Sequence, residues 1–234
     1  MSGPSHTGPT RRSVLASAGL ALAGGLAGCA QLSVASFVAS PATVPEATLT
    51  RTGYEERGVD ERVVRQGFGP AERLVEVVNW VALYERPLTP SVLDVLPGTA
   101  DPGDQRVAVF AALSTPKVEV AGREFNPVAG FSANDVLDFV QNVYGGLREV
   151  ERVGERAVTV LGSATRVAEY RAAGGLSGGG TSADVDGLTD LSLHVTGPVE
   201  HGEDFVVGLA AHPAVASIER GTVDTLLGAI AHER

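Results

Sequence analysis

The stretch Leu74-Val75-Glu76-Val77-Val78-Asn79-Trp80-Val81-Ala82-Leu83-Tyr84-Glu85 decides the fold class of this chain. It is rich in β-branched and aromatic residues, with polar residues at intervals, which favours a long central strand. Residues 59–66 have the same character. Residues 107–113 predict a buried strand that ends near Ser114-Thr115-Pro116, because proline cannot donate to a sheet. The first half of the chain therefore predicts a β-sheet.

The apolar residues change to helical spacing in two later segments. Ser132 is a plausible N-cap of the first, which Gly145-Gly146 ends, and Thr222 is a plausible cap of the second, near the C-terminus. Further strand-like stretches are residues 47–54, 118–120, 157–161, 166–171, 188–196 and 205–211. This order predicts an α+β domain, in which an antiparallel or mixed β-sheet is covered by helices.

The N-terminus resembles an export signal. Arg11 and Arg12 form a twin-arginine pair, and the apolar residues 14–26 are too few to cross a bilayer, which takes about 20. Leu26-Ala27-Gly28-Cys29 has the small residues and the cysteine that lipoprotein processing needs. We expect residues 1–29 to be a twin-arginine signal peptide with a lipobox, carried by the twin-arginine translocase, with lipid added to Cys29. The alternative is a core helix that begins with two arginines.

Composition divides the rest of the chain into two parts. Residues 30–45 are small, polar and punctuated by proline, which is typical of a flexible tether. Residues 46–234 predict a single α+β domain, large enough to build its core without disulfides. Lipid on Cys29 would anchor this domain to the cell membrane, on its extracellular face.

The chain is strongly acidic. It has 28 Asp and Glu against 18 Lys and Arg, a formal net charge of -10, and Lys117 is its only lysine. Cleavage before Cys29 removes two arginines and no acid, which leaves 16 bases and a charge of -12. This composition is typical of proteins adapted to saturating salt, where repulsion is screened; an ordinary acidic protein from a GC-rich genome is the alternative. The charge and the lack of a basic patch argue against nucleic acid as a partner.

The later strands carry four candidate metal ligands: His194, His201, Asp204 and His212. A hairpin with a turn near residues 200–203 would bring His194 and His212 roughly opposite each other, and imidazole with carboxylate suits a transition metal. The alternative is ordinary core and turn residues, because no His-x-x-x-His pair occurs. No Gly-x-Ser-x-Gly motif supports a serine hydrolase. We therefore predict no catalytic residue and no cofactor.

A series of short motifs runs through nearly the whole chain after Cys29. They are Thr52-Gly53-Tyr54, Asn79-Trp80-Val81-Ala82-Leu83-Tyr84, Ser114-Thr115-Pro116, Asn126-Pro127, Leu161-Gly162, His194-Val195, Gly202-Glu203-Asp204-Phe205-Val206-Val207, His212-Pro213 and His232. Their order resembles a family of haloarchaeal twin-arginine lipoproteins, domain of unknown function 6517. The resemblance implies a halophilic archaeon and a cell-surface location, but no activity. At fold level the chain also resembles PsbP-like domains, which implies a sheet covered by helices.

These observations predict an exported lipoprotein that serves as a non-enzymatic binding or assembly module, with an unknown envelope protein as its partner. The alternative is an extracytoplasmic metal-binding protein or hydrolase that uses the region of His194, His201, Asp204 and His212. A solute-capturing lipoprotein is a third hypothesis, although such proteins usually have two lobes. Histidines and acids that converge in a pocket would favour the alternative, whereas an exposed apolar patch would favour partner binding.

Overall fold

Most of the strand-like stretches join one large sheet in the computed structural model, which describes residues 35–68, 73–87, 106–120, 123–125, 147–174, 189–214 and 219–233. The described elements belong to one compact unit, Ser33–Arg234. The strands in this part of the chain are β1 Ala35–Val38, β2 Ala42–Thr43, β3 Glu55–Phe68, β4 Arg73–Pro87, β5 Arg106–Pro116, β6 Val118–Val120, β7 Arg123–Phe125, β8 Arg148–Val160, β9 Ser163–Gly174, β10 Thr189–Thr196, β11 Val199–His201, β12 Asp204–Pro213 and β13 Ala231–His232. The helices are α1 Glu46–Thr52 and α2 Glu219–Gly228.

Nine of the described strands form a mixed sheet in the order β3-β4-β5-β12-β10-β9-β8, with β1 also paired to β4 and β11 also paired to β12. β1 runs parallel to β4, and the other described pairs of this sheet are antiparallel. Separate small sheets join β2 with β13 and β6 with β7. The long strands β3 and β8 form the two edges of the described sheet.

β12 lies in the middle of the sheet, and all ten of its residues are buried. A strand with this burial reads as a continuous apolar run, because both of its faces are packed. On one face, which we call the helix face, Val206 shares a core with Leu49 of α1 and Leu226 of α2. On the opposite face, Phe205 and Val207 belong to a second core.

Gly208 allows α2 to approach the helix face closely. A Cβ atom at this position would stand 2.3 Å from Cδ2 of Leu227, which is closer than carbon atoms pack. The Gly208 amide also donates a 2.8 Å hydrogen bond to Oγ1 of Thr196 on β10. A glycine within this strand therefore marks the point where a neighbouring element comes nearest.

The predicted fold class, an α+β domain with helices covering a sheet, is wrong. The described chain is mostly strand, and α1 and α2 have only seven and ten residues. The predicted stretch 157–161 ends one residue beyond the 13-residue β8, and 166–171 lies within the 12-residue β9. Both strands are longer than predicted because the hairpin pairing continues through charged residues that face water. The helix predicted to begin at Ser132 lies outside the described residues.

α1 forms where the sequence predicted a strand. Threonine recurs at every second position from 48 to 52, which mimics a strand pattern. The backbone decides otherwise, because the Pro45 carbonyl accepts hydrogen bonds from the amides of Thr48 and Leu49. Gly53 then ends the helix with a φ of 74°, a left-handed conformation that favours glycine.

The predicted flexible tether, residues 30–45, is wrong over the part that the structure describes. β1 adds to the sheet beside β4, with Val38 in register with Val78, and β2 pairs with β13. Ala42 and Val44 are buried in the core of the helix face. Small residues gave little side-chain signal here, although the backbone is paired in both strands.

α2 agrees with the helix predicted near the C-terminus. Val223, Leu226 and Leu227 are fully buried on its inner side. The helix begins at Glu219, so Thr222, the predicted cap, lies within it. Among the helices described, none is both long enough and apolar enough to cross a bilayer.

Candidate functional site

The four candidate ligands from the sequence do not form one site. The structure divides them between the two ends of β12. His194 and His212 meet at one end, and we call them the inner pair. Asp204 and His201 meet His232 at the other end, and we call these three the outer cluster. Asp204 and His212 lie eight residues apart on the same strand, which corresponds to roughly 26 Å.

The inner pair joins two neighbouring strands. His194 of β10 is in register with Ala210, and His212 of β12 is in register with Ser192, so the two imidazoles are diagonal neighbours on one face. Their Nε2 atoms are 2.9 Å apart, and the rings stack with centroids 5.0 Å apart. Both residues are buried, with 5% and 4% of their surface exposed.

Hydrogen-bond partners fix the tautomers of the inner pair. Arginine can only donate, so Nδ1 of His194, 3.1 Å from Nη1 of Arg156, accepts. Nε2 of His194 therefore carries the proton and donates to Nε2 of His212. Nδ1 of His212 donates in turn to the Pro213 carbonyl at 2.9 Å. The result is a continuous series of hydrogen bonds from Arg156 to the Pro213 carbonyl, in which both imidazoles are neutral.

Burial keeps these imidazoles neutral. Burial lowers the pKa of His194 from 6.5 to about 3, and the neighbouring His212, Arg156 and Arg220 add to this because a further positive charge beside them is disfavoured. Burial also lowers the pKa of His212, although its bond to the Pro213 carbonyl acts in the opposite direction. A ring with a pKa of about 3 does not act as a proton donor near neutral pH.

A network of charges surrounds the inner pair and ties α2 to the sheet. Arg156 of β8 bonds Glu169 of β9 at 2.5 Å and Asp224 of α2 at 2.6 Å. Arg220 of α2 bonds the other oxygen of Glu169, also at 2.6 Å. The side chains of Arg156 and Glu169 are only 15% and 11% exposed. Losing one member of a largely buried pair is costly, because an uncompensated charge remains.

The outer cluster fastens the N-terminal segment to the fold. Oδ2 of Asp204 accepts from the Ser40 amide at 2.8 Å and lies 3.1 Å from Nε2 of His232. The same Nε2 lies 3.1 Å from the Ser40 carbonyl, which also accepts from Oγ of Ser114. Both neighbours of Nε2 are acceptors, so this nitrogen carries a proton. Nδ1 of His232 lies 2.9 Å from Nδ1 of His201, and with the His232 proton on Nε2 it accepts from that ring.

Further bonds hold the same segment nearby. His232 of β13 pairs with Ala42 of β2. The Val44 amide donates to the buried hydroxyl of Tyr84 at 2.8 Å. Residues 35–45 are thus joined to β4, to the start of β12 and to the C-terminal strand.

In the described ranges, no three His, Cys, Asp or Glu side chains are arranged in a way that could hold a metal ion. At the inner pair, the Arg156 guanidinium faces the imidazole nitrogen that would have to bind the cation. At the outer cluster, Oδ2 of Asp204 already accepts from Ser40 and faces His232. The arrangement therefore suits internal hydrogen bonding better than coordination.

Sequence reasoning missed the residues that complete both clusters. Arg156 shares a strand face with Val158, and Glu169 shares one with Val167, and both valines contribute to the core of the helix face. A charged residue at an inward position of such a strand is the signal that could have found them. His232 was not among the four candidate ligands.

The remaining functional residues predicted from the sequence are Arg11, Arg12 and Cys29. They lie outside the described residues, so the twin-arginine signal and the lipidation of Cys29 stay predictions.

The fold and these clusters define a class of protein: a β-rich domain with short helices, whose described histidines are bonded into the structure. Within that class, the chain belongs to the family described as Domain of unknown function (DUF6517), whose model matches residues 41–231. No curated protein matches it. It is also similar to the solution structure of cyanobacterial PsbP (CyanoP) from Synechocystis sp. PCC 6803, with 14% identity and a TM-score of 0.34, over 89% of this chain and 99% of that one. The resemblance to domain of unknown function 6517 is thereby confirmed. The haloarchaeal source and the twin-arginine lipoprotein character of the family stay predictions.

Proposed function

We propose that this protein is a non-enzymatic binding or assembly module of the cell envelope, exported by the twin-arginine translocase and held on the outer face of the membrane by lipid on Cys29. The acidic composition with one lysine and the family resemblance support a halophilic archaeon as its source. Its partner in this proposal is another protein of the envelope.

One observation favours the module over an enzyme. The hydrogen bonds of the inner pair begin at Arg156 and end at the Pro213 carbonyl, so both rings are used within the protein. A general base needs a free lone pair within reach of its substrate. The imidazoles of His194 and His212 do not offer one in this arrangement.

Residues 35–45 support the anchoring part of the proposal. Ala35 is the first residue described, and only residues 30–34 separate it from Cys29. The bonds of the outer cluster hold the segment that follows. A lipid on Cys29 would therefore hold the domain close to the membrane surface.

Intact mass of the membrane-extracted protein tests the anchoring. We expect a chain that begins at Cys29 and carries added lipid. Cys29→Ser should lose the lipid, whereas the neighbouring Gln31→Ser variant should keep it. Replacing Arg11 and Arg12 by lysine should stop export, whereas Arg51→Lys, at an exposed residue of α1, should not. Unmodified wild-type protein in the membrane-free fraction would contradict the proposal.

Elemental analysis separates the module from its metal-dependent alternative. The protein is purified in high salt without a chelator, beside the His194→Ala and His232→Ala variants. We expect far less than stoichiometric transition metal in all three. Stoichiometric metal that is lost in either variant would overturn the non-enzymatic proposal and would also show which cluster binds the ion.

A further inference from the structure

An apolar patch is exposed where the chain enters the fold. Val38, Val63 and Leu74 are 62%, 40% and 38% exposed. Val38 and Val63 are both in register with Val78, from opposite sides of β4, so the three valines point to the same face. Leu74 lies four residues before Val78 on β4 and shares that face. We call Val38, Val63 and Leu74 the apolar patch.

The patch lies close to the point where the predicted anchor joins the fold. Ala35 is in register with Val75, so Leu74 is next to the start of β1. Val38 is three residues further along β1, about 10 Å at the rise of a strand. Val63 is two strand spacings from Val38, again about 10 Å.

The length of the intervening chain limits which surface can face the membrane. Six residue steps lead from Cys29 to Ala35, and they reach about 20 Å at most when fully extended. A domain of this size has a radius of gyration of about 16 Å and is therefore roughly 40 Å across. A lipid on Cys29 thus keeps the start of β1 near the bilayer and does not let the domain turn its far side to it.

We propose that the apolar patch is a lipid-contacting surface, through which the β1–β3–β4 end of the sheet rests on the membrane. This inference depends on the proposed lipidation of Cys29. The half-buried Trp80 lies on the same face as the patch, and Arg65 of β3 lies there too, bonded to Glu76 at 2.7 Å. Aliphatic, tryptophan and arginine side chains are the types that settle at a lipid surface.

The net charge determines the conditions for this contact. A mature chain with a charge of -12 is repelled by anionic lipids in dilute buffer, and concentrated salt shortens the range of that repulsion. The contact is apolar, so it strengthens as the salt concentration rises. Binding by charge attraction would show the opposite dependence.

Trp80 is the only tryptophan of the chain, so its emission reports on this surface alone. The lipidated chain is reconstituted at high salt in phosphatidylglycerol vesicles that contain a lipid with a nitroxide quencher in its headgroup region. We expect strong quenching of Trp80 that decreases when the salt is diluted. In the double variant Val38→Asp with Val63→Asp, the quenched fraction should fall about fivefold or more, because carboxylates resist removal from water.

Two matched variants control for the added charge. Val64→Asp changes a valine whose exposure, 51%, lies between those of Val63 and Val38, on the opposite face of β3, and Val153→Asp changes one that is 53% exposed on β8, at the far edge of the sheet. Both should be quenched as strongly as the wild type. Circular dichroism verifies that each variant is folded, and Val38→Asp alone, at the most exposed position, serves if the double variant unfolds.

The intact mass of each preparation distinguishes the two proposals. Absence of lipid on Cys29 would contradict the proposed function. Lipid on Cys29 with an unquenched Trp80, or with equal quenching in the patch and control variants, would overturn the lipid-contacting surface alone. A patch variant that changes the sedimentation of the protein instead of its quenching would assign the patch to a second copy of the chain.

Discussion

The inner pair and the outer cluster use the same kinds of side chain at the two ends of β12, yet their surroundings differ. At the inner pair, Arg156 faces an imidazole and burial removes water, so both rings are neutral. At the outer cluster, the carboxylate of Asp204 faces His232 and the bonds lead to the chain entry at Ser40. The neighbours of a histidine, rather than its presence, therefore decide its role. The network around the inner pair joins α2 to the sheet. The outer cluster joins the N-terminal segment at Ser40 to β12 and to the C-terminal strand.

Replacing Glu169 by alanine should cause the largest loss of stability among the variants of the two clusters. Arg156 then stays largely buried with only the more exposed carboxylate of Asp224, and Arg220 loses its partner. We expect a loss of about 3 kcal/mol in the free energy of unfolding. Urea denaturation measures the loss. Hydrogen exchange should become faster in α2 and stay unchanged in residues 35–45.

The exposed ion pair of Lys117 and Glu200 is the control for Glu169. The Glu200 side chain is 68% exposed, so Glu200→Gln should cost less than about 1 kcal/mol. Equal losses in Glu169→Ala and Glu200→Gln would show that the network beneath α2 is not a structural element.

Replacing Asp204 by alanine should loosen the other end of β12. The Ser40 amide and Nε2 of His232 lose a charged acceptor, which costs about 2 kcal/mol. Hydrogen exchange should accelerate in residues 35–45 and leave α2 protected. Glu203→Ala, at the exposed residue that precedes Asp204 in the chain, should change stability by about 0.5 kcal/mol or less. Faster exchange in α2 than in the N-terminal segment would contradict the separation of the two clusters.

The pH dependence of stability should reveal the inner pair as a slope rather than as a single loss. His194 binds a proton with a pKa of 6.5 when unfolded and about 3 when folded. Between these values the unfolded state binds more protons, so the free energy of unfolding falls as the pH decreases, by up to about 1.4 kcal/mol per pH unit. Urea denaturation from pH 7 to pH 4 measures this slope.

A histidine variant identifies the source of that slope. His194→Gln removes a buried titrating group and should flatten the dependence, after the shared contribution of the carboxylates is subtracted. An unchanged slope in His194→Gln would mean that this ring is not held neutral.

The strands of the first half could be predicted because their side chains carry the signal. Residues 59–66, 74–85 and 107–113 all lie within strands, β3, β4 and β5 respectively. β-Branched residues and a period of two arise from the local chain, so no knowledge of distant contacts is needed. The family was likewise recognisable from the order of its motifs.

The N-terminal segment and α1 could not be predicted because backbone groups determine them. The Pro45 carbonyl and Gly53 set the ends of α1, whereas its threonines suggested a strand. The bond from Ser40 to Asp204 joins residues 164 positions apart. Residues 35–45 form strands because β4, β13 and Asp204 supply their hydrogen-bond partners, and these come close only in the folded chain.

The candidate site was predicted in part for a similar reason. The sequence suggested that His194 and His212 lie opposite each other, because one hairpin links their strands. It gave no means of placing Arg156 or Glu169 beside them, since that requires the register of β8 against β9 and of β9 against β10. A one-residue change of register would turn those charges to the other face.

Nitrogen NMR of the imidazole rings between pH 4 and pH 8 tests most directly the claim that the inner pair is a structural element. The account predicts that His194 stays neutral throughout this range, with its proton on Nε2, and that His212 carries its proton on Nδ1. A ring of the inner pair that titrates near its ordinary pKa of 6.5 would contradict the account, because it would leave an imidazole free to exchange protons with a substrate.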